Sequence, residues 1–196
     1  LATVARWARG ITAIVGCVDR DRSGRLFNSA AVLAEGRVAA IYHKRHLPNY
    51  GVFDEQRYFS PGRRDRLIRV RGVPIGLQIC EDLWVPGPTQ ALAGAGARLV
   101  LNISASPYQA GKLRQRQALF ARRARANRVA VAYCNLVGGQ DELVFDGASL
   151  VLDARGRLLA QARQFQEDLL LCELSTAHLG PTRPVRRALT VQATPP

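Results

Sequence analysis

The apolar run GVPIGLQICEDLW (residues 72–84) turns acidic immediately after Cys80, so this thiol falls where a buried strand has to end. In an α/β fold such ends open onto the reaction cleft, and N–H groups released there can hold a developing oxyanion. A Cys80 thiolate would attack a carbonyl carbon, with the N–H of Glu81 placed to receive the negative oxygen. Lys44 lies upstream in HKRHLPNYGVFDEQRYFSPG (residues 43–62) and is one of two lysines in a chain whose other permanent cations are all arginine. A compact ammonium near a thiol favours the thiolate and balances charge on the oxyanion. Together a cysteine and a lysine point to amide chemistry.

An arbitrary cysteine is ordinarily an inert core thiol, and an arbitrary lysine a solvated stem. Two features weigh the other way. Glu81 and Asp82 cannot continue a buried strand, and Lys44 leads into a turn-rich loop, Leu47 to Gly51, continued by Asp54, Glu55, Tyr58 and Phe59. Loops that mix aromatic and charged residues commonly build sites on a rigid scaffold. Cys17, Cys134 and Cys172 sit within β-like runs and are expected to be small buried hydrophobes. There is no C-x-x-C pair, so neither a zinc site nor a disulfide framework is indicated. No metal ligand set is expected, and the motif with Gln140, Asp141, Glu142 and Asp146 reads as loop architecture.

The elements that must position these residues follow from periodicity. Strands are expected near 11–18, 26–34, 37–42, 66–70, 73–79, 98–103, 129–135, 147–152, 157–163 and 168–174, and helices near 1–9, 88–95 and 111–127. Glu35-Gly36 and Arg155-Gly156 are tight-turn signals. With 196 residues and 47% hydrophobic content, one domain with a substantial core is expected. The net charge of +13 is spread along the chain. Its densest stretch, residues 112–128, places Leu113, Phe120 and Ala124 on one side and Arg114, Arg122 and Arg125 elsewhere, which suits a solvated helix rather than a nucleic-acid site. No apolar run approaches the roughly 18 residues of a membrane span, and no leader pattern is present, so a cytoplasmic protein is expected. The opening LATVARWARG reads as the second half of an amphipathic helix closed by Gly10, and PTRPVRRALTVQATPP (residues 181–196) as a linker or tail.

Four ordered motifs then resemble a known family. The lysine loop with Glu55 to Gly62, ICEDLW (residues 79–84) and NISASPY (residues 102–108) are similar to the nitrilase, or carbon–nitrogen hydrolase, superfamily. LPNYGVFDE (residues 47–55) and GGQDELVFDGAS (residues 138–149) narrow the resemblance to the glutaminase domains of glutamine-dependent NAD⁺ synthetases. The resemblance implies an α/β fold, a four-layer αββα sandwich, and a Glu-Lys-Cys triad in which Cys80 is the nucleophile and Lys44 the lysine. It implies attack on the side-chain amide of glutamine, a glutamyl thioester, and ammonia passed to a synthetase domain. Glu55 matches a second glutamate near the lysine, with a supporting electrostatic role. Tyr50, Glu81, Trp84 and Ser106 match positions lining the glutamine pocket: Glu81 for the substrate ammonium, Tyr50 and Trp84 for its stem, Ser106 for polar atoms.

The resemblance also implies departures. Residues 1–175 would be the glutaminase domain, N-terminally truncated and lacking the strand and helix that carry the general-base glutamate, so the chain alone would be weak or inactive. Residues 176–196 would lead toward a missing synthetase domain, which would hold the ATP and Mg that no residue of this chain is expected to bind. Partners would be glutamine, that synthetase domain and further copies in a homo-oligomer, with no nucleic acid or membrane. A stand-alone amidase acting on another small amide, and a non-catalytic interaction module, are the competing readings.

Overall fold

The computed structural model describes residues 1–185 and 187–191. Its elements, in order, are α1 (Ala2–Trp7), β1 (Thr12–Arg20), β2 (Leu26–Ala34), β3 (Arg37–His43), β4 (Leu67–Val70), β5 (Val73–Ile79), α2 (Glu81–Trp84), α3 (Pro86–Gly94), β6 (Leu99–Ser104), α4 (Lys112–Asn127), β7 (Ala130–Asn135), β8 (Val137–Gln140), β9 (Leu143–Asp146), β10 (Leu150–Leu152), β11 (Leu158–Gln161) and β12 (Ala188–Val191).

Alternation along the strands builds the layers. On β2, Ala30, Val32 and Ala34 face one way and join Ile68, Leu77, Ile79 and Leu99 in a core between two sheets. Ala31 and Leu33 face the other way, where Ala5 and Ala8 cover them. A strand buried on both faces reads as a continuous apolar run, which is what AAVLA (residues 30–34) shows. The opposite sheet alternates in the same manner. Leu99 belongs to the inter-sheet core, whereas its neighbour Val100 packs outward on Leu92 and Ala93 of α3. Phe120 and Ala124 of α4 cover Val131, Tyr133, Leu150 and Leu152. The result is the expected αββα sandwich, with a three-stranded sheet β1-β2-β3 over a seven-stranded sheet ordered β11-β10-β7-β6-β5-β4-β12. Truncating a fully buried leucine such as Leu77 to alanine costs about 2–5 kcal/mol.

Three parallel neighbours define the reactive edge. Ile79 of β5, Ile103 of β6 and Cys134 of β7 share one register row, so these strands end side by side. The antiparallel β2–β3 pair, joined by a turn with positive φ at both Glu35 (50°) and Gly36 (76°), sets Ser29 opposite His43. Lys44 therefore emerges beside Asn28, and its N–H donates to the Asn28 carbonyl at 2.8 Å.

Several expectations are corrected. Residues 168–174 form no strand; their leucine run stays largely outside the core, with Leu169 and Leu171 81% and 80% exposed. Cys134 is exposed, and Cys17 and Cys172 are half-buried, so none of the three is a fully buried core thiol, and Cys172 lies in no strand. Within 181–196, residues 188–191 pair in parallel with β4 instead of running without structure. Arg186 and residues 192–196 of the expected tail lie outside the described residues. No helix among the described residues is long and apolar enough to cross a membrane.

Candidate active site

Cys80 is the residue between β5 and α2, and its backbone is held at φ 41°, ψ −102°, in the positive-φ region that a side chain rarely occupies. Strain of this kind persists only where the surroundings over-determine it. Here the Cys80 N–H donates to the Ile103 carbonyl at 2.9 Å, and the Cys80 carbonyl accepts from Leu83 N–H at 3.1 Å and from Asn102 Nδ2 at 3.3 Å. The first N–H groups of α2 have no partner within the helix by its geometry, so this turn offers donors beside the sulfur.

The buried Lys44 ammonium donates to Glu55 Oε1 at 2.5 Å. Asn28 Nδ2 donates to the other Glu55 oxygen at 3.3 Å. The backbone around Lys44 is tightly fixed: Gly62 N–H donates to its carbonyl at 2.7 Å, and a Cβ on Gly62 would stand 2.1 Å from the His43 carbonyl oxygen. Burial pushes the Cys80 thiol above its ordinary pKa; the Lys44 charge and the Ser104 hydroxyl draw it down, while Glu81 and Glu55 push it up. Lys44 is thus the principal group opposing desolvation.

That balance sets an expected result. Lys44→Met removes the cation and leaves Glu55 uncompensated, so the thiol pKa rises and less thiolate exists at any fixed pH. The alkylation profile of Cys80, followed by mass spectrometry of its own peptide, should move to higher pH by about one unit or more, roughly tenfold in rate at pH 8. An unmoved profile would remove Lys44 from the site.

Cys80 lies between two chambers. One, about 300 Å³, is lined by Lys44, Glu55, Asn28 and Ser104. The other, about 400 Å³, is lined by Tyr50, Glu81, Trp84, Ser106 and Lys112. Cys80 and Phe53 belong to the walls of both. The structure therefore brings together all seven expected residues, and sorts them: Lys44 and Glu55 on one side of the thiol, Tyr50, Glu81, Trp84 and Ser106 on the other.

Within the second chamber, Tyr50 OH donates to Glu81 Oε2 at 3.0 Å, and burial with the neighbouring Glu81 pushes the phenol up to about 12. The Trp84 ring packs edge-on against Phe120, with centroids 5.5 Å apart. Lys112 Nζ stands 5.6 Å from the Trp84 ring centroid and donates to the Pro107 carbonyl at 2.9 Å. Burial and the nearby Arg116 draw the Lys112 pKa down. Ser106 is fixed by its N–H donating to Asn135 Oδ1 at 2.9 Å.

Sequence reasoning missed Lys112, Asn28, Ser104 and Asp82. Lys112 carried a usable signal as the second of two lysines, and Asp82 as an acid two residues past the thiol. Asp82 is fully buried, accepting from Tyr42 OH at 2.7 Å, Ile79 N–H at 3.0 Å and His46 N–H at 3.0 Å. Asp146, expected in a loop, ends β9 in the β8–β9 hairpin and pairs with the buried Arg116 at 2.9 Å, which makes that arginine part of the core rather than of a solvated face. Among the described residues, no cluster of three or more His, Cys, Asp or Glu side chains could hold a metal ion.

An αββα sandwich with a cysteine, a lysine and a glutamate gathered where parallel strands end defines a carbon–nitrogen hydrolase, and the chain belongs to that family, whose model matches residues 4–184. It is 44% identical over 167 residues to a glutamine-dependent NAD(+) synthetase of Thermotoga maritima, covering 84% of this chain and 29% of that protein. The chain thus spans about three tenths of the length of the curated relatives it matches. Its fold is similar to a glutamine-dependent NAD⁺ synthetase of Acinetobacter baumannii solved with ADP, at TM-score 0.88 and 35% identity over 98% of this chain and 36% of that one. It is also similar to a Nesterenkonia amidase variant carrying an acetamide moiety covalently on its active-site cysteine, at TM-score 0.72 and 30% identity over 83% of this chain and 60% of that one.

Proposed function

We propose that this chain is a glutaminase unit that releases ammonia from glutamine through a Cys80 thioester and supplies it to NAD⁺ synthesis. The observation that carries this reading is the pairing of opposite charges in the 400 Å³ chamber, with Glu81 and Lys112 both lining it beside the thiol. Free glutamine presents an α-ammonium and an α-carboxylate at one end and an amide at the other. Glu81 receives the ammonium, Lys112 the carboxylate, Tyr50 and Trp84 wall the methylenes, and Ser106 binds remaining polar atoms. A simple amide such as propionamide has neither charge and forfeits both contacts.

The Cys80 thiolate adds to the amide carbon, and the carbonyl oxygen becomes an oxyanion stabilised by the Lys44 ammonium and the N–H of Glu81. The tetrahedral intermediate collapses, the C–N bond breaks, and the nitrogen leaves as ammonia after taking a proton. Water then cleaves the thioester, giving glutamate and restoring the thiol. Glu55 acts electrostatically: its two oxygens are engaged by Lys44 and Asn28, and it is the only acid lining the 300 Å³ chamber among the described residues. With that carboxylate engaged and no second acid in this chamber's lining among the described residues, proton transfer at the thiol side is expected to be slow, a deficit of about 10² to 10⁴ in turnover. The similarity to far longer NAD⁺ synthetases supports a synthetase unit, holding ATP and Mg, as the recipient of the ammonia.

The test uses binding, which slow turnover does not obscure. Glutamine should protect Cys80 from alkylation at concentrations where propionamide does not. In Lys112→Met the half-protecting concentration should rise about tenfold or more, the loss of one charged contact. Equal protection by both amides would favour a stand-alone amidase instead.

A further inference from the structure

A concavity of about 230 Å³ lies outside both chambers, and arginines 25, 63, 64 and 66 line it. Asp21 is the single acid in that lining, and it is committed to Arg25 at 2.7 Å. Asp65, between the arginines in sequence, pairs with Arg45 instead. The side chains of Arg63, Arg64 and Arg66 have no hydrogen bond, ion pair or ring contact with any described residue. Three unpaired guanidiniums drawn from four consecutive residues repel one another across a concave surface, and an anion placed among them relieves that repulsion.

The geometry points to a binding site for a diphosphate-type anion held by Arg63, Arg64 and Arg66. Guanidinium forks match phosphate oxygens in bidentate fashion, and several forks around one cavity suit a group with several such oxygens. The aromatic surface here is already used: Phe27 stacks on His43 at a centroid distance of 4.1 Å, and the Arg25 guanidinium lies 5.6 Å from the Phe27 centroid. His43 is in turn bound to Asp19 at 2.8 Å. The site therefore selects by charge and shape rather than by stacking a base.

The position of this site gives it a consequence. Tyr42 lines the cavity, and its hydroxyl donates to Asp82 beside the Cys80 turn. The segment that carries the arginines also includes Gly62, whose N–H holds the Lys44 carbonyl. An occupant would thus rest against the elements that fix both the thiol and the lysine. This inference stands apart from the choice of amide substrate.

Free diphosphate and a nucleoside triphosphate share the required chemistry, and calorimetry on the whole chain separates them. Sodium pyrophosphate should bind saturably at one site. The double variant Arg63→Gln/Arg66→Gln, changed at solvent-accessible side chains and checked for unaltered circular dichroism, should weaken binding at least tenfold. ATP binding as tightly as pyrophosphate would identify the diphosphate group as sufficient, and tighter ATP binding would identify a nucleotide as the source; either supports the site. The proposal fails if pyrophosphate gives no saturable heat, if the double variant binds equally well, if chloride at matched ionic strength abolishes the signal, or if a single-stranded oligonucleotide binds with affinity that grows with its length.

Discussion

Replacing Cys80 by alanine should abolish covalent labelling by a glutamine-like diazoketone and reduce ammonia release from glutamine by at least about 10³-fold, while the fold survives. The expectation of survival is physical. A buried thiol behaves as a small hydrophobe, and the bonds that fix this turn come from the Cys80 backbone, which alanine keeps. Alanine also tolerates the 41° φ no worse than cysteine does. Labelling must be read on the Cys80 peptide, because Cys134 is exposed and will react with general thiol reagents. In any preparation that also contains a synthetase unit, the same variant should lose glutamine-dependent NAD⁺ formation and keep the ammonia-dependent reaction. Sustained glutamine turnover in the alanine variant would refute the nucleophile assignment.

The second large effect is expected at a residue that never meets substrate. The Asp82 carboxylate accepts from three donors: Tyr42 OH, the N–H of Ile79 just before Cys80, and the N–H of His46 two residues past Lys44. It thereby fastens the Cys80 turn to the Lys44 loop. Asparagine keeps the size and supplies one oxygen, but its NH₂ must then face a backbone N–H, leaving buried donors unsatisfied at about 1–3 kcal/mol. Asp82→Asn should therefore lower the Cys80 labelling rate by tenfold or more and depress the thermal midpoint by several degrees. Asp82→Glu, which restores the charge at the wrong distance, should recover less than half of the lost rate. A purely structural role predicts the drop in midpoint with labelling unchanged, and that outcome would separate the two.

How much of this was legible depended on the range of the interaction. The ends of β5 and β6 could be read locally because apolar runs stop there, and Cys80, Lys44 and Glu55 line one chamber. The pocket residues Tyr50, Glu81, Trp84 and Ser106 were likewise gathered from separate loops. What stayed hidden were pairings set by packing. Arg116 reads as one more arginine on a charged helix, yet it is buried against Asp146, thirty residues on. Asn28 faces Glu55 only through the β2–β3 register. The leucines at 169 and 171 have the alternation of a strand, but hydrogen-bonding partners are a property of the sheet edge and not of the segment. Conversely, ALTV at 188–191 is too short to announce itself and becomes a strand because β4 offers a free edge.

That Cys80 forms part of two walls at once divides the labour of the site between independent surfaces. Lys44 and Glu55 line one chamber and Tyr50, Glu81, Trp84, Ser106 and Lys112 the other, and apart from Cys80 and Phe53 the two linings share no residue among those named. Substrate preference can therefore drift through Trp84, Ser106 or Lys112 while the reactive apparatus behind the thiol stays intact. The fold behaves as a fixed tool with an exchangeable jig, and altering which amide it accepts requires rebuilding one room only.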